Sequence, residues 1–144
     1  MTDGTSIYDS TKKSFKTYGS YDSEMVTFLK KYNWDFVFVS KDLKGFDITN
    51  KRIEDMHCKL TQANEFERAN LVKYYKEEEN YLTVFIGDSL SDIMALNNAD
   101  IACCTSNAFY KVDEYCDYQS KKEGGHGGFG EILYWLNEYL NSSY

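Results

Sequence analysis

The chain has 144 residues, 42% of them apolar, which is enough to bury one core rather than stay disordered. Its net charge of −7, from 16 basic and 23 acidic residues, argues against a general nucleic-acid binder, which needs a basic face to displace counterions. No run reaches the ~18 to 20 apolar residues needed to span a bilayer, and Met1-Thr2-Asp3-Gly4 opens no signal peptide, so no membrane partner and a cytoplasmic location are expected.

Residues 5–18 alternate loosely around a polar turn at Asp9–Lys13, with Ile7, Tyr8, Phe15 and Tyr18 apolar, and predict a hairpin. Residues 22–32 place Met25, Val26, Phe28, Leu29 and Tyr32 on one helical stripe behind Asp22, an N-cap residue type. The run Asp35-Phe36-Val37-Phe38-Val39 predicts a buried strand ending at Ser40. A short helix follows at 49–57, with Ile53 and Met56 facing inward, then a charged amphipathic helix at 65–79. Leu82-Thr83-Val84-Phe85-Ile86 is a second buried strand, stopped by Gly87-Asp88. A helix at 90–98, a third strand at Ile101–Cys104 and helices at 107–115 and 129–140 complete the chain, the last two separated by the glycine loop 124–128.

Alternating strands and helices predict a three-layer α/β domain with a mainly parallel sheet, read here as one unit over 1–144 with its hairpin at 5–18 and its core at 22–144. The four cysteines, Cys58, Cys103, Cys104 and Cys116, form no CxxC pair, and neither His57 nor His126 completes a zinc pattern. Cys103 and Cys104 are expected as buried free thiols.

In parallel sheets ligands bind at the carboxyl ends of the strands, where Ser40 and Asp88 fall. Gly87-Asp88-Ser89-Leu90-Ser91-Asp92 puts two carboxylates about one helical turn apart, so that they can converge. Two hard oxygen ligands suit Mg2+, which keeps places for water and phosphate; a turn followed by a helix N-cap is the plainer reading of the same residues. The Ser40 hydroxyl can donate to a phosphate oxygen or simply close a turn. Arg68 and Lys73 on helix 65–79 can neutralise phosphate charge or form a solvated face. The loop Gly124-Gly125-His126-Gly127-Gly128 can present N–H groups to an anion or act as a flexible connection.

Taken together, these features resemble the haloacid dehalogenase (HAD) superfamily, and within it the capless 3-deoxy-D-manno-octulosonate 8-phosphate phosphatases. They are an early Asp-Gly, a strand ending in serine, a basic residue on a later helix, GDxxxD after a strand, and a GGxG loop before the last helix. Met1–Gly4 resembles the end of a DxDGxxTDG signature, and Thr105–Ala108 and Asp117–Gly127 resemble later loops of the family. The resemblance implies a Rossmann-like HAD fold with a hairpin in place of a cap, a Mg2+ cofactor, and hydrolysis of a sugar-acid or other small sugar phosphate. It also implies a homo-oligomer, a tetramer in relatives, with the hairpin between subunits.

Carried over residue by residue, the resemblance makes Ser40 and Arg68 catalytic, with Lys73 as the substitute cation. Asp88 and Asp92 become the metal carboxylates, and Asp22, Lys41, Lys73, Gly125 and His126 fall near the substrate. His126 stands where the family has arginine. The family's nucleophilic Asp lies on a first strand just upstream of the position matching Thr2, so that strand, central in the sheet, is expected to be missing and its two neighbours left with open edges. A second register makes Asp3 the acid/base residue and puts Met1 at the nucleophile position; neither register supplies a nucleophile. The rival expectation is an inactive HAD-like oligomerisation domain.

Overall fold

The computed structural model describes residues 2–8, 10, 13–19 and 21–141, with side chains left outside the description at 2–8, 14, 15 and 17. The elements run β1 (Thr2–Tyr8), β2 (Lys13–Tyr18), α1 (Asp22–Lys30), β3 (Val37–Ser40), α2 (Phe46–Asp55), β4 (Lys59–Gln62), α3 (Glu65–Glu77) and β5 (Val84–Ile86). After a single 3-10 turn at Leu90–Asp92 come α4 (Ile93–Asn98), β6 (Ile101–Cys104), a second 3-10 turn at Val112–Tyr115, β7 (Tyr118–Gln119) and α5 (Gly128–Asn141).

The hairpin β1–β2 is antiparallel and begins at Thr2, earlier than the alternation predicts, with a register shift between Thr2 and Ser6. Asp3 therefore lies on a hairpin strand and not on a parallel sheet; its side chain, like those of Ile7, Tyr8 and Phe15, is outside the described set. The apolar surface expected at those positions is thus untouched by the description, as is most of the turn at 9–12.

The parallel strands form two separate sheets, β3 with β4 and β5-β6-β7 in that order. Two side-chain bridges show how the sheets face each other. The Tyr81 hydroxyl, ahead of β5, donates to Asp35 Oδ2, ahead of β3, at 2.8 Å. At the other ends, Lys41 Nζ donates to Ser91 Oγ at 3.0 Å. β3 and β5 therefore run side by side in one direction, joined at both ends by side chains and nowhere along their backbones among the described residues.

Helices cover both faces of the sheets. Strand β6 shows why: Ile101 and Cys103 point into a cluster with Val26 and Leu29 of α1, Ile53 of α2 and Ile132, Leu133 and Leu136 of α5. Its alternate residues Ala102 and Cys104 point the other way, against Leu96 of α4 and Val112. All four are buried, as a strand covered on both faces requires. Cys103 and Cys104 are buried free thiols. Burial pushes the Cys103 thiol up to about 12.

Several local expectations fail. Residues 107–115 do not form a helix: Ala108 N–H bonds back to Thr105 O, and Lys111 adopts φ 67°, which ends any right-handed run before the short 3-10 turn. Strands β4 and β7 were not expected, because Leu60 is the one buried residue of β4 and β7 has only two residues. On α1 the inward stripe is Val26 and Leu29 with Met25 partly buried beside them, while Phe28 and Tyr32 pack on each other outside, with ring centres 5.2 Å apart.

Candidate active site

The carboxyl ends of β3 and β5 open into a groove of about 600 Å3 lined by Lys41, Asn64, Glu65, Phe66, Ser89, Leu90, Ser91 and Phe109. Ser40 immediately precedes Lys41, and its Oγ accepts a bond from Asp42 N–H at 3.2 Å. That uses acceptor capacity and leaves the hydroxyl proton available to an anion. Parallel pairing of β3 with β4 and the Ala63 N–H bond to Ser40 O fix the backbone on which this hydroxyl sits.

Asp92 organises the loop after β5. Its Oδ2 accepts from Asp88 N–H, Ser89 N–H and Ser89 Oγ at 3.0, 3.1 and 3.0 Å. Its Oδ1 accepts from Arg68 Nη1 at 2.6 Å. A side chain on Gly87 would drive its Cβ to 2.6 Å from Asp92 Cβ, so the glycine is what lets this carboxylate fold under the loop. Asp92 is thereby committed to holding the loop, whereas Asp88 is exposed at the end of β5 and its side chain bonds no other residue among the described ones. Desolvation and the nearby Asp92 charge raise the Asp88 pKa above the ordinary carboxylate value.

Arg68 is buried, and it is held from two sides, by Asp92 and by its Nε–H bond to Ala63 O at 3.1 Å. Lys73, five residues along the same helix, is exposed and does not line the groove. Lys41 reaches across to Ser91.

The remaining expected positions lie further off. Asp22 is buried at the start of α1, and its Oδ1 accepts the Gly130 N–H of α5 at 3.1 Å. Its Oδ2 has no hydrogen-bond partner among the described residues, and burial raises its pKa. Instead of capping its own helix, Asp22 joins α1 to the amino end of α5. The glycine loop is shaped by Gly125 and Gly127, at φ 83° and 99°, and by Gly128, where a Cβ would lie 2.4 Å from Lys122 O. Gly125 is buried; His126 is exposed beside Glu123, its Nδ1 3.8 Å from Oε2. Asn107 Oδ1 accepts from Gly124 N–H at 2.9 Å and Phe109 N–H donates to Asp88 O at 2.7 Å, so the loop after β6 ties the glycine loop to the groove.

Two groups near the groove escaped the sequence reading. Asp42 accepts from Lys13 and Lys16 of β2, and Lys16 also donates to Thr49 Oγ1 and Gly45 O. No motif spacing announces this cluster. Phe66 and Phe109, both exposed, give the groove an aromatic rim; Phe66 lies two residues before Arg68, on the outer side of α3.

The donor set permits a divalent cation of the Mg2+ type with one protein carboxylate, Asp88, the rest of the shell being water and phosphate oxygen. Among the described residues no three His, Cys, Asp or Glu side chains converge on one point.

No protein-family model and no curated protein matches the sequence. Solved structures do match the fold. The cobalt-bound deoxy-D-mannose-octulosonate 8-phosphate phosphatase of Haemophilus influenzae is similar at a TM-score of 0.82 and 21% identity, over 95% of this chain and 81% of that one. The 3-deoxy-D-manno-octulosonate 8-phosphate phosphatase of Moraxella catarrhalis, in complex with magnesium ion, phosphate ion and a KDO molecule, gives 0.81 and 19%, over 99% and 87%. The enzyme of the same name from Yersinia pestis gives 0.76 and 17%, over 92% and 72%. In the arrangement of its strands and helices, this chain therefore has the fold of the HAD-type phosphatases.

Proposed function

We propose that the chain is a Mg2+-dependent phosphomonoester hydrolase of HAD type acting on a sugar-acid or other small sugar phosphate, as one cytoplasmic domain assembled into a homo-oligomer. The observation that carries this reading is the meeting of Ser40 and Lys41 with the Asp88–Asp92 loop at the carboxyl ends of two parallel strands, in a fold shared with sugar-acid phosphatases.

In this reading the Ser40 hydroxyl and the Lys41 ammonium take phosphate oxygens, and Asp88 offers its carboxylate to Mg2+. When bound, the cation neutralises charge on the phosphoryl group. Arg68 pairs with Asp92 beneath the loop and so helps to fix the direction of the Asp88 backbone. Gly125 and His126 face the sugar end, and Asp22 acts on them by holding the start of α5. Asp3, as the acid/base residue, would act from the hairpin.

A second reading, an inactive HAD-like assembly domain, is favoured by one observation: among the described side chains the carboxylate lining the groove is Glu65 at the amino end of α3, and neither β3 nor β5 carries one. Phosphate release from a generic phosphomonoester with Mg2+ separates the two. Turnover absent from the chain and unaffected by Asp3→Asn supports the inactive reading; Mg2+-dependent turnover lost in Asp3→Asn supports the hydrolase with Asp3 in its chemistry. Binding is tested apart from turnover: saturating Mg2+ raises stability by about 1–3 kcal/mol in the wild type and not in Asp88→Asn.

A further inference from the structure

We infer that the groove at the carboxyl ends of β3 and β5 selects a nucleoside monophosphate, whose planar base stacks on Phe66 and Phe109 beyond the phosphate and the sugar. The inference rests on the phosphatase reading for the phosphate end, and it names which small sugar phosphate the groove takes.

Three apolar side chains from three separate segments line the groove: Phe66 from the first turn of α3, Leu90 from the 3-10 turn after β5, and Phe109 from the loop after β6. They are 58, 56 and 57% exposed, so each holds apolar surface against water at a concave site, which is surface that a ligand can cover. Their backbones are anchored. Phe109 N–H donates to Asp88 O at 2.7 Å. Leu90 follows Ser89 in the capping box that Ser89 and Asp92 close. Phe66 lies two residues after Asn64, whose Oδ1 caps α3 by accepting from Glu67 N–H at 2.9 Å.

Charge and hydrogen bonding define the rest of the ligand. Among the described residues, Lys41 is the one cation lining the groove, and the phosphate uses it; Glu65 lines the same space. A second anionic group, such as the carboxylate of a sugar acid, would find no cation left there and would face Glu65. The other polar groups are engaged already. Ser89 Oγ and Ser91 Oγ bond each other at 3.0 Å, Ser89 Oγ also reaches Asp92, Ser91 Oγ accepts from Lys41, and Asn64 caps its helix. A long polyhydroxyl chain would therefore leave hydroxyls unmatched. Glu65 remains as an acceptor, and a carboxylate suits the hydroxyls of a ribose. A base needs no polar partner to stack, because every base has a π-face and an aromatic side chain accepts any of them. A volume of about 600 Å3 is in the range that holds a ligand of this size.

The test measures binding to the whole chain by isothermal titration calorimetry with Mg2+ present, using adenosine 5′-monophosphate, ribose 5-phosphate, gluconate 6-phosphate and phenyl phosphate. The nucleotide is expected to bind about tenfold more tightly than ribose 5-phosphate, the increment of one base–aromatic stack. That ratio should fall toward one in Phe66→Ala and in Phe109→Ala, exposed positions outside the core, and survive in Phe66→Trp, which keeps a ring there. A ratio of one in the wild type, or a ratio that both alanine variants leave intact, would overturn the inference. So would gluconate 6-phosphate binding more tightly than the nucleotide, which restores the sugar acid, or phenyl phosphate binding as tightly, which leaves the ribose without a role. Nucleotide affinity that drops as the chain self-associates would overturn it too, because a second copy would then cover the rim. Free adenosine separates this inference from the reading beneath it. If adenosine binds and loses binding in Phe66→Ala while no phosphate ester binds, the base site stands and the phosphatase reading fails. Mg2+-dependent binding of ribose 5-phosphate with no gain from the base keeps the phosphatase reading and sinks the base site.

Discussion

Arg68 on α3 and Asp92 below the β5 loop form an ion pair at 2.6 Å, each side chain only 7% exposed. Two charges held this far from water stabilise a fold only while both are present, because the survivor of a deletion is left buried and unpaired. Asp92 also carries two backbone N–H groups and the Ser89 hydroxyl, so its loss unmakes the loop that presents Asp88.

Asp92→Ala is therefore expected to destabilise the chain by about 3–5 kcal/mol in urea unfolding. The double variant Arg68→Met with Asp92→Leu should lose less than Asp92→Ala alone, since no buried charge then lacks a partner. A cost under about 1 kcal/mol for Asp92→Ala would show that water, and not Arg68, satisfies this carboxylate.

Acid should loosen the hairpin from the core. Burial alone would raise the Asp42 pKa, but the bonds from Lys13 and Lys16 more than offset it and bring it down to about 2. A carboxyl depressed in the folded state contributes stability above its unfolded pKa of 3.8 and loses it as pH falls toward 2. The contribution at neutral pH is about 2 kcal/mol, and it should vanish between pH 4 and 2 in the wild type and be missing at every pH in Asp42→Asn. Parallel pH profiles for the two proteins would contradict this.

Asp22 has the opposite sign. Its folded pKa is raised by burial, so the carboxyl favours the folded state when protonated, and that advantage fades as pH climbs from 3.8 to the raised value. Above that interval Asp22→Asn, which keeps the shape and an acceptor for Gly130 N–H, should melt higher than the wild type. At pH 3 the difference should disappear. A lower melting point for Asp22→Asn at pH 7 would mean that the charge of the nearby, half-buried Arg52 already compensates the carboxylate.

Gly128→Ala is expected to cost at least about 2 kcal/mol, because the new methyl would meet the Lys122 and Glu123 carbonyls at 2.4 and 2.8 Å. Gly127→Ala would meet only Lys122 Cδ, at an ordinary contact distance of 3.5 Å, and backbone strain at φ 99°, so it should cost less. Thermal melts of the two variants rank them, and the reverse order would mean that the Gly128 carbonyl contacts relax without resistance.

The sequence by itself determined the strands that are apolar on both faces and the loops that punctuate them. Residues 84–86 and 101–104 are legible because burial on two sides leaves no polar alternation, and Gly87-Asp88 marks the stop where a ligand site opens. The hairpin was legible too, and so were the free thiols of Cys103 and Cys104. Strands β4 and β7 were not, since so few of their residues face a core that nothing in the residue pattern marks them. Nor was the division of labour between Asp88 and Asp92, two carboxylates that look equivalent in the motif. Arg68, 24 residues away, and the packing of Gly87 decide which of them turns inward. Asp22 is an N-cap residue type by its position, and only the approach of Gly130, 108 residues later, makes it a bond between helices. Such roles depend on which groups the fold brings within about 3 Å of each other, and in these pairs the partner lies far along the chain, where residue patterning does not reach.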